Sequence, residues 1–119
     1  MQNQPIGIFD SGVGGLSVLR EIRRSLPKES IIYFADSANC PYGSKEKNAT
    51  LALAGNRIDF LIDQGCKLVV VVACNTVTAV AIDQFRSRYD IPFIGMEPAL
   101  KPAAQLTATG KIGVLATEN

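Results

Sequence analysis

The sequence contains no histidine. A Ser-His-Asp triad within the chain, a histidine general base and a histidine-bound metal are therefore all excluded. Cysteine is scarce: Cys40, Cys66 and Cys74 make an odd set with no Cys-x-x-Cys spacing. This argues against a disulfide framework or zinc ribbon and for reduced thiols in a cytoplasmic protein. Charge of one sign is also missing, since 12 basic residues meet 11 acidic ones for a net charge of +1. Direct nucleic-acid binding usually rests on a clear basic excess, and none is present. The longest apolar run, residues 68–74, falls far short of the roughly 20 residues that span a bilayer. Residues 1–5 are polar and lack the basic-then-apolar layout of a signal peptide. No internal repeat, low-complexity tract or linker interrupts the chain.

What remains is 119 residues, 47% hydrophobic and 19% charged, enough for one domain with a buried core. Short apolar runs alternate with longer amphipathic segments. Residues 6–9, 30–35 and 68–73 read as strands, the third rich in valine and apolar on both faces. Such runs suit a parallel sheet covered by helices. Residues 92–95 and 111–116 read as a fourth and a fifth strand. Leu16, Leu19, Ile22 and Leu26 recur at helical spacing. So do Leu51, Ala54, Ile58, Leu61 and Ile62, closed by Gly65 in C-cap position. Val77, Val80, Ala81 and Phe85 mark a third helix and residues 98–106 a shorter fourth. The alternation predicts an α/β fold, a doubly wound, mainly parallel sheet flanked by helices with right-handed crossovers. The sequence stops just after the fifth strand, where such a fold adds a helix. An edge is then left bare, or the sequence is part of a larger protein.

In open parallel sheets, ligands bind beyond the carboxyl ends of the strands. Small polar and reactive residues collect there in this sequence. Asp10-Ser11-Gly12-Val13-Gly14-Gly15 follows the first strand, Asp36 to Ser44 the second, Cys74-Asn75-Thr76 the third and Met96-Glu97-Pro98 the fourth. The first loop is neither a dinucleotide fingerprint nor a P-loop, because the third glycine of GxGxxG and any Gly-Lys-Ser/Thr are missing. Its glycines permit a tight turn and close helix–sheet packing. At the mouth, Asp10 suits an ammonium group and Ser11 a carboxylate. Cys74 has two readings. It is a small buried hydrophobe, or a thiol at the start of a helix whose unpaired N–H groups favour the thiolate, able to act as base or nucleophile. Asn75 and Thr76 either cap that helix or direct donors at a bound carboxylate. Tyr42 is packing or site, and the backbone around Gly43 is a plain turn or an anion contact. Cys40 and Cys66 read as incidental thiols. Arg20, Arg23 and Arg24 read as a solvated helix face, as do Lys45, Glu46 and Lys47.

Taken together, Ile6-Gly7-Ile8-Phe9-Asp10-Ser11-Gly12-Val13-Gly14-Gly15-Leu16, Pro41-Tyr42-Gly43 and Ala73-Cys74-Asn75-Thr76 resemble, in order and spacing, the glutamate racemases of the cofactor-independent aspartate/glutamate racemase superfamily. The resemblance implies substrate contacts by Asp10, Ser11, Tyr42, Gly43, Asn75 and Thr76. It implies that Cys74 is one of two catalytic cysteines, with Asp10 assisting, and that no cofactor or metal takes part. It also implies bacterial production of D-glutamate for peptidoglycan. Members of that family are about twice as long, with two similar α/β domains and the site between them. The second cysteine lies in a Thr-Gly-Cys-Thr-His stretch, which this sequence lacks. Residues 1–119 therefore correspond to the N-terminal domain alone, which by itself is expected to be inactive or nearly so. Surface left uncovered by the missing half is expected to drive self-association or homo-oligomers. Two alternatives stay open. One is a related racemase acting on aspartate. The other is a non-enzymatic module that binds a carboxylate or a partner such as DNA gyrase.

Overall fold

The computed structural model describes residues 3–117; of the expected domain, Met1, Gln2, Glu118 and Asn119 lie outside the described residues. The chain runs β1 (Ile6–Asp10), α1 (Leu16–Ser25), β2 (Ile31–Ala35), a short 3-10 turn (Ser37–Asn39), α2 (Lys47–Asp63), β3 (Val70–Val72), α3 (Asn75–Arg88), β4 (Phe93–Gly95) and α4 (Leu100–Leu106). The strands form one parallel sheet in the order β2-β1-β3-β4. Ile8 sits beside Tyr33 on one side and Val71 on the other.

Side chains alternate across the pleat, so each strand feeds two cores. Phe9, Val70, Val72 and Phe93 meet Ala54, Ile58 and Leu61 of α2 and Val77, Ala81 and Phe85 of α3. Ile6, Ile8 and Val71 meet Val18, Leu19 and Ile22 of α1 on the opposite face. Helices thus cover both faces, and the doubly wound α/β class expected from the alternation is the fold found. The stripe expected on α1 is shifted: Leu16 and Leu26 are about half exposed, and Val18 takes their place against the sheet. One helix covering this face leaves its margins open, so α1 buries no residue fully.

α2 ends as its sequence foretold. Gly65 takes φ +94°, a left-handed conformation that costs glycine little. Its N–H donates to Ile62 O at 2.9 Å and the Cys66 N–H to Leu61 O at 3.0 Å, the paired bonds of a Schellman stop.

The fifth strand is not formed. Residues 111–117 are irregular and exposed, with Ile112, Val114 and Leu115 facing solvent. A strand is stabilised by its ladder, and no neighbouring strand pairs with this segment among the described residues. Its apolar pattern alone does not supply those bonds.

Leu61 is fully buried where α2 meets the sheet. Leu61→Ala is expected to destabilise the chain by about 2–5 kcal/mol, read as a lower urea midpoint with an unchanged slope.

Candidate active site

The strand order reverses direction between β1 and β3: the chain moves from β1 outward to β2, then returns to the other side of β1. Loops leaving these two central strands lead to helices on opposite faces, the place at the carboxyl ends where sheets of this kind form their ligand crevice. Asp10 and Ser11 leave β1 on one lip, and Cys74 follows β3 on the other. The Ala73 N–H still donates to Phe9 O at 2.8 Å, so the two strand ends are held together up to the residue before the thiol.

Cys74 is the N-cap of α3, with extended backbone (φ −126°, ψ 120°), and its carbonyl accepts the Thr78 N–H at 3.0 Å. Its Sγ lies 3.3 Å from Ser11 Oγ. The residue is only 7% exposed and joins the α2–α3 core, so it stands at the border between packing and crevice. Asn75 begins α3 and is exposed, whereas Thr76 is buried.

Asp10 is buried at the end of β1. Its Oδ2 accepts the Gly15 N–H at 2.5 Å and the Tyr33 hydroxyl at 3.2 Å. Burial and the neighbouring Asp10 charge push the Tyr33 phenol up to about 12, which keeps it a donor at neutral pH. Gly15 allows the approach: a Cβ there would stand 2.8 Å from Asp10 Oδ2 and 3.0 Å from Ala73 Cβ. Gly14 has nothing within 4 Å of such a position, so the close-packing role belongs to Gly15.

Tyr42 is packed inward. It is buried, its ring lies 6.1 Å from that of Phe9, and its hydroxyl donates to Asp36 Oδ2. Its phenol is therefore committed to the interior, and residue 42 can meet a ligand through its backbone. Gly43 is half-buried, and a Cβ there would collide with the side chain of Thr117. The Thr117 hydroxyl pairs with that of Thr76 at 2.9 Å. One threonine side chain therefore spans the gap from the Gly43 loop to the start of α3, and both walls face the same crevice.

Two contributors were not singled out in the sequence, although Asp36 heads the loop that follows the second strand. Asp36, at the end of β2, is buried and accepts Asn39 Nδ2 at 3.0 and 3.2 Å besides the Tyr42 hydroxyl. Arg57 Nε of α2 stands 3.3 Å from its Oδ2 as an ion pair. Burial works to raise this carboxyl, but the bonds from Tyr42 and Asn39 and the Arg57 guanidinium outweigh it and hold it below its ordinary value. Its placement just after β2, one residue beyond the partner of Asp10, was the available signal. Thr117 is the other, and nothing in its neighbourhood of the sequence marked it.

The remaining candidates behave as packing or surface. Cys66 is buried against Gly7, where burial pushes its thiol up. Cys40 is exposed, its sulfur above Gly12. Arg20 and Arg24 extend into solvent around Glu21. Among the described residues no group of three or more His, Cys, Asp or Glu side chains is arranged to hold a metal, and no helix is long and apolar enough to cross a membrane.

A parallel α/β sheet with a thiol, a hydroxyl and a buried carboxylate at its switch point agrees with a comparison of the whole sequence. The Asp/Glu/Hydantoin racemase family model matches residues 6–119, and the chain belongs to that family. Within it, the chain is similar to glutamate racemases. It is 52% identical over 118 residues to that of Herpetosiphon aurantiacus, covering 99% of this chain and 46% of the relative. It is 54% identical over 117 residues to that of Clostridium botulinum, covering 98% and 45%. Among solved structures, Escherichia coli glutamate racemase in complex with L-glutamate and the activator UDP-MurNAc-ala superposes with a TM-score of 0.83 at 41% identity, over 90% of this chain and 41% of that one. The Aquifex pyrophilus glutamate racemase gives 0.79 at 40% identity, over 87% and 41%. The chain spans about half the length of the curated relatives it matches.

The lowered Asp36 carboxyl has a consequence for acid stability. A depressed native value adds stability that is complete above the unfolded value, near 3.8, and is lost as pH falls through the native one. Asp36→Asn is therefore expected to be less stable than the parent at pH 7, with the gap closing below about pH 4 in denaturant titrations run across pH.

Proposed function

We propose that this sequence forms one half of a cytoplasmic glutamate racemase that supplies D-glutamate for peptidoglycan without a cofactor. The observation that carries the reading is the Cys74 thiol, 3.3 Å from the Ser11 hydroxyl across the switch point of the sheet. The similarity to glutamate racemases, one of them bound to L-glutamate, supports glutamate as the substrate over aspartate.

Racemisation takes the α-proton from one face of the substrate and returns one to the other. One fixed base does not serve both faces, so two opposed acid–base groups are needed. Cys74 is the group on one face, that presented by D-glutamate, and the second cysteine comes from the other domain. As the N-cap of α3, Cys74 stands where the helix begins, with its sulfur beside the Ser11 hydroxyl. As the proton leaves, charge builds on the α-carbon and its carboxylate. Ser11, Asn75, Thr76 and the backbone at Tyr42 and Gly43 supply donors that offset it. Asp10, held by the Gly15 N–H and the Tyr33 hydroxyl, presents its charge to the substrate ammonium. Excluding water strengthens each of these interactions.

Cys74→Ala in the two-domain protein is expected to lower racemisation by about 10²–10⁴-fold, followed by circular dichroism and by deuterium uptake at the α-carbon in heavy water. Unchanged exchange and turnover for both enantiomers would defeat the assignment. Aspartate assayed in parallel is expected to turn over far more slowly than glutamate.

The 119-residue chain alone is expected to be inactive or nearly so and to self-associate through apolar surface. Ile94 is 53% exposed on its edge strand, and Val114 and Leu115 also face solvent. Light scattering should show mass rising with concentration; a clean monomer at high concentration speaks against it.

A further inference from the structure

We infer that Asp36 is a positioning residue for substrate binding, which holds the Tyr42 hydroxyl and so fixes the Tyr42–Gly43 backbone on the wall of the crevice. The inference rests on the racemase reading above and deepens it.

A carboxylate only 3% exposed is costly unless every charge is answered. Here the answer comes from three elements. Asn39 closes the turn after β2, Tyr42 lies in the loop that follows, and Arg57 reaches over from α2. The Arg57 guanidinium is itself steadied above the Phe34 ring at 5.6 Å. The Asp36 N–H donates to Asp10 O at 2.9 Å, so the anchor is continuous with the β1–β2 ladder. The loop from Asn39 to Lys47 is tied to the sheet at Tyr42. The Lys45 N–H to Tyr42 O bond, 3.0 Å, lies within the loop and does not attach it to the sheet. The Tyr42 side chain makes that tie, by its ring on Phe9 and its hydroxyl on Asp36.

The next residue is where this matters. Gly43 and Thr76 stand on opposite sides of a gap that the Thr117 side chain spans. With both reached by one threonine side chain, a displaced Gly43 changes its distance from Thr76 and so the span offered to a bound carboxylate. The Asp36 carboxylate is occupied by its three partners and acts through Tyr42. Such a contact stabilises bound substrate and transition state alike, so its loss falls on KM more than on kcat.

The test uses the two-domain racemase that carries this sequence. KM and kcat for D- and L-glutamate are measured for Asp36→Asn, Tyr42→Phe and the double variant, with Cys74→Ala as reference. Each single variant is expected to raise KM about tenfold with kcat within about threefold, and the double variant to be no worse than either single. Lost stability without lost positioning would leave KM of the folded enzyme unchanged, and that result overturns the inference. So do additive effects in the double variant. Should Asp36→Asn fail to fold, Tyr42→Phe decides alone: a raised KM supports the inference and an unchanged one ends it. If Cys74→Ala retains full turnover, the thiol assignment fails; if the parent protein itself does not interconvert the two glutamates, the racemase reading fails and takes this inference with it. If Cys74→Ala is inactive while Tyr42→Phe binds normally, only the positioning role is lost.

Discussion

The parallel pairing of β1 with β3 is the constraint on which the rest depends. Gly7, Ile8 and Phe9 lie level with Val70, Val71 and Val72, so the two strands end together. Residues next to each other at those ends become neighbours in space although 63 positions separate Ser11 from Cys74. A slip of one residue would turn every β3 side chain to the other face. The buried valines forbid that slip, because Val70 and Val72 fill one core and Val71 the other. Packing deep in the molecule therefore sets the geometry at its rim.

That rim is built in layers. Asp10 and Cys74 are held by the sheet and the first turns of helices. Asp36 and Tyr42 secure the neighbouring loop. Thr117 arrives from the far end of the described chain and touches both walls. The two carboxylates are answered differently. Asp10 takes neutral donors, a backbone N–H and a phenol, whereas Asp36 is neutralised by an arginine as well. Both are almost fully buried, and each is answered by donors from its own neighbourhood of the fold.

Most of the fold was legible because its signals are local. Valine-rich runs, helical stripes and the glycine at position 65 each report on a few adjacent residues, and four strands and four helices fell within a few residues of their expected places. The rim was legible for a different reason: in a parallel sheet all carboxyl ends lie on one side, so order in the sequence implies convergence in space. What stayed hidden depends on partners distant in the chain. The apolar run at 112–115 has a strand's composition and no ladder to join. Leu16 lies on the expected stripe, but one helix does not cover that face. The threonine at 117 meets the start of α3 from 41 positions away, and no local pattern announces that contact.

The direction shared by all the strands reaches beyond the contacts at any one residue. α1, α2 and α3 each begin on the side where their preceding strand ends, so the electropositive tips of three helices point toward a common region. A net charge of +1 conceals this arrangement. The carboxylates of Asp10 and Asp36 are buried at the same ends of the strands, so helix tips and acidic side chains set opposing fields within one small region of a nearly neutral molecule.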